Sequence, residues 1–152
     1  RIQPVSATLD LTGKPDCRGS DFTDPGGWGT MRLDGGLMAT VDATDYSQVP
    51  WDIRVNGSEG RAVIGGQDLR LEYWNGKMEH WTNAKHDGSG MDVALREIVK
   101  WLSDGTVFDY DPAEPVHVLE AIVGFHASHA KNSAWVDLPL VGDDRLIEVR
   151  SG

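Results

Sequence analysis

The sequence predicts an α+β fold, in which an open, largely antiparallel mixed sheet carries helices packed on one face. Three observations support this prediction. Short segments that alternate apolar and polar residues fill the first half of the chain, and turn dipeptides separate them. The period of the apolar residues then changes from two to 3.6 after Gly90. Strands therefore come first and helices later, without the alternation that builds a parallel sheet.

Three candidate hairpins form a meander in the first half of the chain. WGTMRL and LMATVDAT flank Asp34-Gly35-Gly36, WDIRV and RAVIG flank NGSEG, and LRLEYW and KMEHW flank Asn75-Gly76. Asn-Gly is the strongest signal, because it supplies the two positive φ values of a type I′ turn at little steric cost. The apolar positions of these strands are expected to meet the helices: Leu37, Ala39, Val41, Ile53, Val55, Leu69 and Leu71.

Two helices are predicted in the second half. The first has an apolar stripe over Met91–Leu102 and ends at Gly105. The second begins with Asp111 as its cap, Pro112 in the first helical position and Glu114 in a capping box. Its buried stripe is predicted to comprise Val116, Leu119, Val123 and Ala127.

The segment AWVDLPL then returns to a strand pattern. Val136, Leu138 and Leu140 share one face, and Trp135 lies on the other. Because Pro139 donates no hydrogen bond to a ladder, we expect this strand to lie at an edge of the sheet or to end there.

The composition limits the class of protein. With 152 residues, of which 39% are hydrophobic, the chain suits a single domain with its own core. Its 24 acidic and 14 basic residues give a net charge of −10, which disfavours nucleic acid and anionic membranes as partners. One cysteine, Cys17, and the lack of a leader pattern or a long apolar run make the cytoplasm the expected location.

The six tryptophans are many for a chain of this size. Aromatic rings stack on sugars, but tryptophan also fills cores and interfaces. The alternation pattern predicts that Trp51 and Trp101 belong to the core and that Trp74 and Trp81 lie on a contact face. This division favours association over ligand binding.

Polar side chains in loops and on the second helix supply the candidate site residues. Asp45 and Tyr46 follow a predicted strand, where a carboxylate and a phenol can orient a polyol or hydroxy acid, although Asp45 also suits an ordinary turn. His86 lies in the polar loop TNAKHDGSG, where a solvated role competes with a functional one. His126 and His129 are three residues apart and can reach one ion, but they lack a third ligand, so no metal site is predicted.

Nucleotide-binding and nucleophile motifs are missing from the sequence. The glycine clusters DPGGWG and GSEGRAVIGG lack the G-x-G-x-x-G spacing and do not lie between a parallel strand and a helix. No serine lies in a nucleophile elbow. The sequence therefore predicts neither a cofactor-binding residue nor a catalytic residue in this chain.

Three segments, in their order and spacing, resemble the C-terminal domain of the Gfo/Idh/MocA oxidoreductases: RVNGSEGRAVI, MDVALREIVKWLSDG and EAIVGFHASHAKNSAWVDLPL. The resemblance covers nearly the whole chain from Val5 onward. It implies that residues 1–152 form one C-terminal substrate and oligomerisation domain, that the chain is an excised fragment, and that an N-terminal Rossmann domain for NAD or NADP is absent from it. It also implies that the catalytic Lys and the Asp/His pair of this family lie outside the chain.

The resemblance also implies substrate contacts and a partner. The family often places substrate-contacting side chains where its central strand ends, which here is ATDYSQVP, so Tyr46 and Asp45 are the first candidates and His86 is the next. It implies a homo-oligomer formed through the sheet face and a sugar, polyol or related hydroxylated substrate. The alternative, a binding or assembly module with no catalytic role that uses an open sheet face, stays open.

Overall fold

The computed structural model describes residues 1–14, 25–44, 52–66, 68–82, 89–108 and 111–149. The chain divides into two compact units: unit 1 is Arg1–Ser47 with Asp111–Gly152, and unit 2 is Gln48–Tyr110. The described residues of each unit form one four-stranded antiparallel sheet and one α-helix. The predicted α+β class with open antiparallel sheet is confirmed, and its described strands are divided between two sheets. The assignment of residues 1–152 to a single domain stays a prediction.

The described helices and strands follow one another in the order β1 (Ile2–Asp10), β2 (Gly26–Leu33), β3 (Met38–Asp42), β4 (Asp52–Asn56), β5 (Gly60–Gly65), β6 (Asp68–Tyr73), β7 (Met78–Thr82), α1 (Gly90–Asp104), α2 (Ala113–Ala130) and β8 (Val136–Asp137). Sheet 1, in unit 1, has the strand order β3-β2-β1-β8. Sheet 2, in unit 2, has the order β4-β5-β6-β7. The three predicted hairpins are confirmed as β2–β3, β4–β5 and β6–β7.

Strand β8 lies at the edge of sheet 1, as predicted. It pairs with residues 4–5 of β1 and ends before Pro139. The predicted alternation is also confirmed, because Val136 and Leu140 are buried whereas Trp135 is exposed. The proline limits the ladder because it has no N–H to donate.

The turn between β6 and β7 is longer than the predicted two-residue type I′ turn. The Gly76 N–H donates to the Tyr73 carbonyl (2.9 Å), and the Tyr73 N–H donates to the Lys77 carbonyl (2.9 Å), which encloses three loop residues. Gly76 has a φ of 87°, while Asn75 keeps a negative φ. The side-chain Oδ1 of Asn75 accepts the Lys77 N–H (2.9 Å). This is the arrangement of a type I turn followed by one left-handed residue.

Helix α1 confirms the predicted change of period. Ser89 and Asp92 form a capping box, in which Ser89 Oγ accepts the Asp92 N–H (3.3 Å) and Asp92 Oδ2 accepts the Ser89 N–H (2.6 Å). Gly105 ends the helix with a φ of 73°, as predicted, because glycine adopts the left-handed conformation without a steric penalty.

Helix α2 begins one residue later than predicted. Asp111 does cap it, since its Oδ1 accepts the Ala113 N–H (2.9 Å). Pro112 has a helical φ of −63° but lies just before the helix. Among the described residues 111–149, the capping box predicted between Asp111 and Glu114 does not form, because the Glu114 N–H donates to the Asp111 carbonyl (3.0 Å) while the Asp111 carboxylate bonds Ala113.

Small residues form the face of α2 that packs on sheet 1. The buried residues of the helix are Ala121, Gly124, Ala127 and Ser128. A Cβ atom on Gly124 would lie 2.8 Å from Val5 Cγ2, so the absence of a side chain allows close approach to β1. The core of unit 1 is completed by Val5, Val136 and Leu140. Each such side chain contributes about 1.5–3 kcal/mol when fully buried.

The predicted buried stripe of α2 was therefore wrong in part. Ala127 is buried, as predicted, but Val116 and Leu119 are exposed. Apolar periodicity in this helix continues around most of its circumference, so it does not identify the face that meets the sheet. Instead, the close approach of α2 to β1 leaves room only for small residues on the face of the helix that contacts the sheet.

The apolar surfaces of unit 2 are largely exposed. None of the residues of α1 is buried. Trp101 is 50% exposed, which overturns its predicted core position, and its ring stacks on Phe108 with 6.2 Å between centroids. Trp51, the other predicted core tryptophan, lies outside the described residues. In the described part of the chain, neither helix has the length and apolarity that a membrane span requires.

Candidate functional site

Polar side chains of α2 bond to the backbone of β1. His117 Nε2 accepts the Ile2 N–H (3.0 Å), Ser128 Oγ accepts the Ala7 N–H (2.9 Å) and His129 Nδ1 accepts the Leu9 N–H (3.1 Å). Strand β8 pairs with only two residues of β1, so these side chains satisfy donors that a longer strand would otherwise satisfy. The three side chains therefore have structural roles.

The hydrogen bond from the Leu9 N–H also limits the ability of His126 and His129 to bind one metal ion together. An imidazole nitrogen that accepts a backbone N–H carries a lone pair and no proton, and that lone pair is occupied. His129 Nδ1 is thus occupied by β1. Among the described residues, no three His, Cys, Asp or Glu side chains lie close enough together to hold a metal ion.

Glu120 links α2 to the segment after β8. Its Oε1 accepts the Leu140 N–H (2.9 Å), and its Oε2 lies 3.7 Å from His117 Nδ1. Because His117 accepts through Nε2, its proton lies on Nδ1 and faces this carboxylate. Both side chains are partly buried and are occupied with the backbone, so this pair does not have the open geometry of an acid–base site.

Ser128 is the polar residue of the core that the sequence analysis missed. It is fully buried, accepts from Ala7 and donates to the Ala134 carbonyl (2.6 Å). A buried hydroxyl with both bonds satisfied joins α2 to β1 and to the segment just before β8 at little energetic cost. The available signal was a pattern of polar residues at helical spacing on an otherwise apolar helix, namely His117, Glu120 and Ser128.

A groove in unit 1 lies between α2 and the end of sheet 1, with a volume of about 190 Å³. Its walls are mainly apolar and carry one imidazole; the lining side chains include Leu9, Val41, Ala43, Ile122, Phe125 and His126. Gly29 forms part of the floor, where a Cβ atom would lie 2.8 Å from Phe125 Cζ. The absence of a side chain at Gly29 therefore positions the Phe125 ring in the wall.

The groove opens at the end of the sheet where β1 finishes and where the chain leaves β3. Asp10 is the last residue of β1, and the backbone N–H and hydroxyl of Thr12 hold the pKa of its carboxyl below the usual range. The Thr12 N–H donates to Asp10 Oδ1 at 3.0 Å. Asp10 is therefore ionised at neutral pH.

The predicted site residues Asp45, Tyr46 and His86 lie outside the described residues. In the sequence, Asp45 follows Thr44 directly, and Ala43, one residue earlier, lines the groove. The assignment of these three side chains to a substrate site stays a prediction.

Comparisons with known proteins show the fold. No protein-family model and no curated protein matches the chain. Among solved structures, a Thermotoga maritima protein assigned as an oxidoreductase aligns with a TM-score of 0.65 at 12% identity, over 91% of this chain and 41% of its own. The WlbA dehydrogenase of Bordetella pertussis, solved with NADH and UDP-GlcNAcA, aligns with a TM-score of 0.52 at 15% identity, over 92% of this chain and 40% of its own. The chain thus spans about two fifths of the length of these oxidoreductases.

Proposed function

We propose that this chain is the substrate and oligomerisation domain of an NAD(P)-dependent oxidoreductase of the Gfo/Idh/MocA type, which is inactive without its N-terminal Rossmann domain. One observation carries the proposal: the fold follows that of a solved oxidoreductase over 91% of the chain while covering 41% of the other protein. The remaining length of such a protein is enough for a nucleotide-binding domain. The absence of a G-x-G-x-x-G motif from residues 1–152 agrees with this division of roles.

The substrate of the full-length protein is a sugar, polyol or related hydroxylated compound. The NADH and UDP-GlcNAcA bound to the WlbA dehydrogenase support a nicotinamide cofactor and a sugar-type substrate. NAD or NADP accepts or donates the hydride when it is bound by the missing domain. This chain supplies the apolar groove, which takes the carbon skeleton, and Tyr46 with Asp45, which hydrogen-bond hydroxyl groups. His86 is a further contact to the substrate. The full-length protein is located in the cytoplasm.

The DNA upstream of Arg1 provides the most direct test. The proposal expects a strand–turn–helix unit with the G-x-G-x-x-G spacing within the same reading frame. A start codon immediately before Arg1, or an unrelated module there, would refute the oxidoreductase assignment.

Tyr46→Phe in the full-length protein tests the substrate role. Removal of one hydroxyl that bonds a substrate lowers kcat/KM by about tenfold or more, because the bond to the substrate hydroxyl is lost. Tyr110→Phe removes the same group elsewhere in the sequence and is the matched control. Equal kcat/KM for Tyr46→Phe and the wild type would reject the assignment.

A second candidate function is a non-catalytic assembly module. It is favoured by one observation, the exposed apolar surface of unit 2, which includes Ile53, Val55 and Trp81. It shares with the first proposal a homo-oligomer formed through a sheet face, and it differs because it requires no dehydrogenase domain. The upstream sequence separates the two functions.

A further inference from the structure

Two glycines of β2 leave the floor of the groove in unit 1 without side chains. The cross-strand register places Gly27 opposite Leu9 and Gly29 opposite Val41, on the face of sheet 1 that meets α2. Glycine inside a strand weakens the strand, and it often marks a site where another group approaches the backbone closely. The Phe125 ring packs against Gly29, and the open space beside that ring is the groove.

The backbone groups around the groove already have hydrogen-bond partners. Gly27 and Ala43 bond to each other in both directions, at 3.2 and 2.9 Å, and the Leu9 N–H donates to His129 Nδ1. The wall carries the imidazole of His126, which is too few polar groups for the several hydroxyls of a sugar ring. A hydroxyl that entered the groove would lose its bonds to water and find few replacements, which is unfavourable. The groove therefore suits an apolar group.

The volume of the groove, about 190 Å³, corresponds to part of a ligand. An apolar cavity of about 150 Å³ lined by Leu, Ile and Phe takes up benzene. Pockets that enclose a whole ligand of drug size are larger, from about 300 Å³ upward. The groove thus has room for a phenyl or cyclohexyl group, or for an alkyl group of similar size, and the rest of a larger ligand stays outside it.

The walls of the groove supply apolar contacts from both sides. Leu9 and Val41 come from β1 and β3, and Ile122 and Phe125 come from α2. Val41 is 37% exposed and Ile122 is 41% exposed, so both side chains have apolar surface left to bury. Contact with a ring removes this surface and the surface of the ring from water, which is the main source of affinity for a small apolar group.

We infer that the groove of unit 1 binds an apolar group of the size of one ring, and that the substrate of the full-length protein carries such a group beside its hydroxyls. The inference rests on the function proposed above and deepens it, because it divides the substrate into two ends. The apolar end lies in the groove, and the hydroxylated end lies outside it. A glycoside or polyol ether with an aryl or alkyl substituent combines both ends.

Binding of benzyl alcohol to the 152-residue chain tests the inference directly. Benzyl alcohol supplies one apolar ring, and glucose, a ring of similar size that is hydroxylated all round, is the comparison ligand. Ligand-observed NMR should show saturable binding of benzyl alcohol with a Kd of about 1 mM. Binding of glucose should be weaker by about tenfold or more, because its hydroxyls lose their bonds to water.

Two substitutions in and beside β3 locate the bound ring. Ala43→Leu adds bulk to the lining of the groove and should weaken binding of benzyl alcohol by about tenfold or more, because it occupies the space of the ring. Thr40→Leu is the matched control on the opposite face of the strand, where Thr40 pairs with Thr30, and should leave Kd within about twofold of the wild type. Ala43 and Thr40 are both exposed, so neither change should disturb a core.

Kinetics of the full-length protein test whether the apolar group belongs to the substrate. A phenyl glycoside should give a kcat/KM about tenfold or more above that of the methyl glycoside of the same sugar, because the phenyl ring enters the groove. Ala43→Leu should reduce this preference to less than about twofold. A wild-type protein that does not distinguish the two glycosides would overturn this part of the inference.

Three results with the 152-residue chain would overturn the assignment of the groove. They are no saturable binding of benzyl alcohol, binding of glucose as tight as that of benzyl alcohol, and a Kd for benzyl alcohol that Ala43→Leu changes no more than Thr40→Leu does. These results leave the oxidoreductase assignment standing, because they do not depend on an upstream domain. An unrelated module upstream of Arg1 would refute that assignment and would leave the binding of benzyl alcohol unaffected.

Discussion

Unit 1 and unit 2 are built from similar parts and differ in how they bury them. In the part of the chain that the structure describes, each has a four-stranded antiparallel sheet and one α-helix. In unit 1, small residues of α2 pack directly on β1, and Val5 is completely buried. In unit 2, strand pairing and ion pairs are in place, but Ile53 and Val55 are about half exposed. Strand pairing alone therefore defines a meander, and a second layer is what makes a core.

The largest expected difference comes from the same substitution in the two sheets. Val5→Ala removes two methyl groups from a fully buried position and should lower the free energy of unfolding by about 2–3 kcal/mol. Val55→Ala should change it by less than about 0.5 kcal/mol at concentrations where the chain is monomeric. Urea denaturation of both variants measures the difference. Similar losses for the two would contradict the contrast between the units.

A smaller difference is expected between two helix serines. Ser128→Ala leaves the Ala7 N–H and the Ala134 carbonyl without their partner and should cost about 1–3 kcal/mol. Ser103 lies on α1, where its exposed hydroxyl donates to the Lys100 carbonyl (3.4 Å). Ser103→Ala is the matched control and should be nearly neutral, within about 0.5 kcal/mol. Thermal unfolding by circular dichroism compares the two, and a neutral Ser128→Ala would show that this bond does not join α2 to sheet 1.

The smallest effect concerns the acid dependence of α1. The Ser89 backbone N–H and hydroxyl hold the pKa of Asp92 below its usual value of 3.8. A carboxyl whose pKa is lower in the folded state stabilises the fold above the usual value, and this contribution is lost as the pH falls through the lowered pKa. Asp92→Asn should therefore unfold α1 slightly at neutral pH and weaken the acid dependence of its helix content. Hydrogen exchange of residues 93–96 between pH 2.5 and pH 6 measures this, and an unchanged profile would contradict it.

The sequence and the structure contribute different parts of the candidate site. The assignment of Asp45 and Tyr46 to the site rests on the sequence alone, where they follow a strand with clear alternation, and it stays a prediction. The groove beside that strand was not predictable, because Leu9, Val41 and Phe125 come from distant parts of the chain. The structural bonds of His117 and His129 were not predictable for the same reason, since each accepts from a backbone group more than 100 residues away.

Local chemistry determined much of this protein directly from its sequence. The hairpin at Asp34–Gly36, the capping of α2 by Asp111 and the end of α1 at Gly105 depend on near neighbours in the chain, and all were predicted. Only the tertiary structure decided that α2 buries its glycine and alanines in place of Val116 and Leu119, and that the strands divide between two sheets. The buried face of α2 depends on the distance between that helix and β1, which lie far apart in the sequence, and the division into sheets depends on which strands pair; a periodic pattern contains neither.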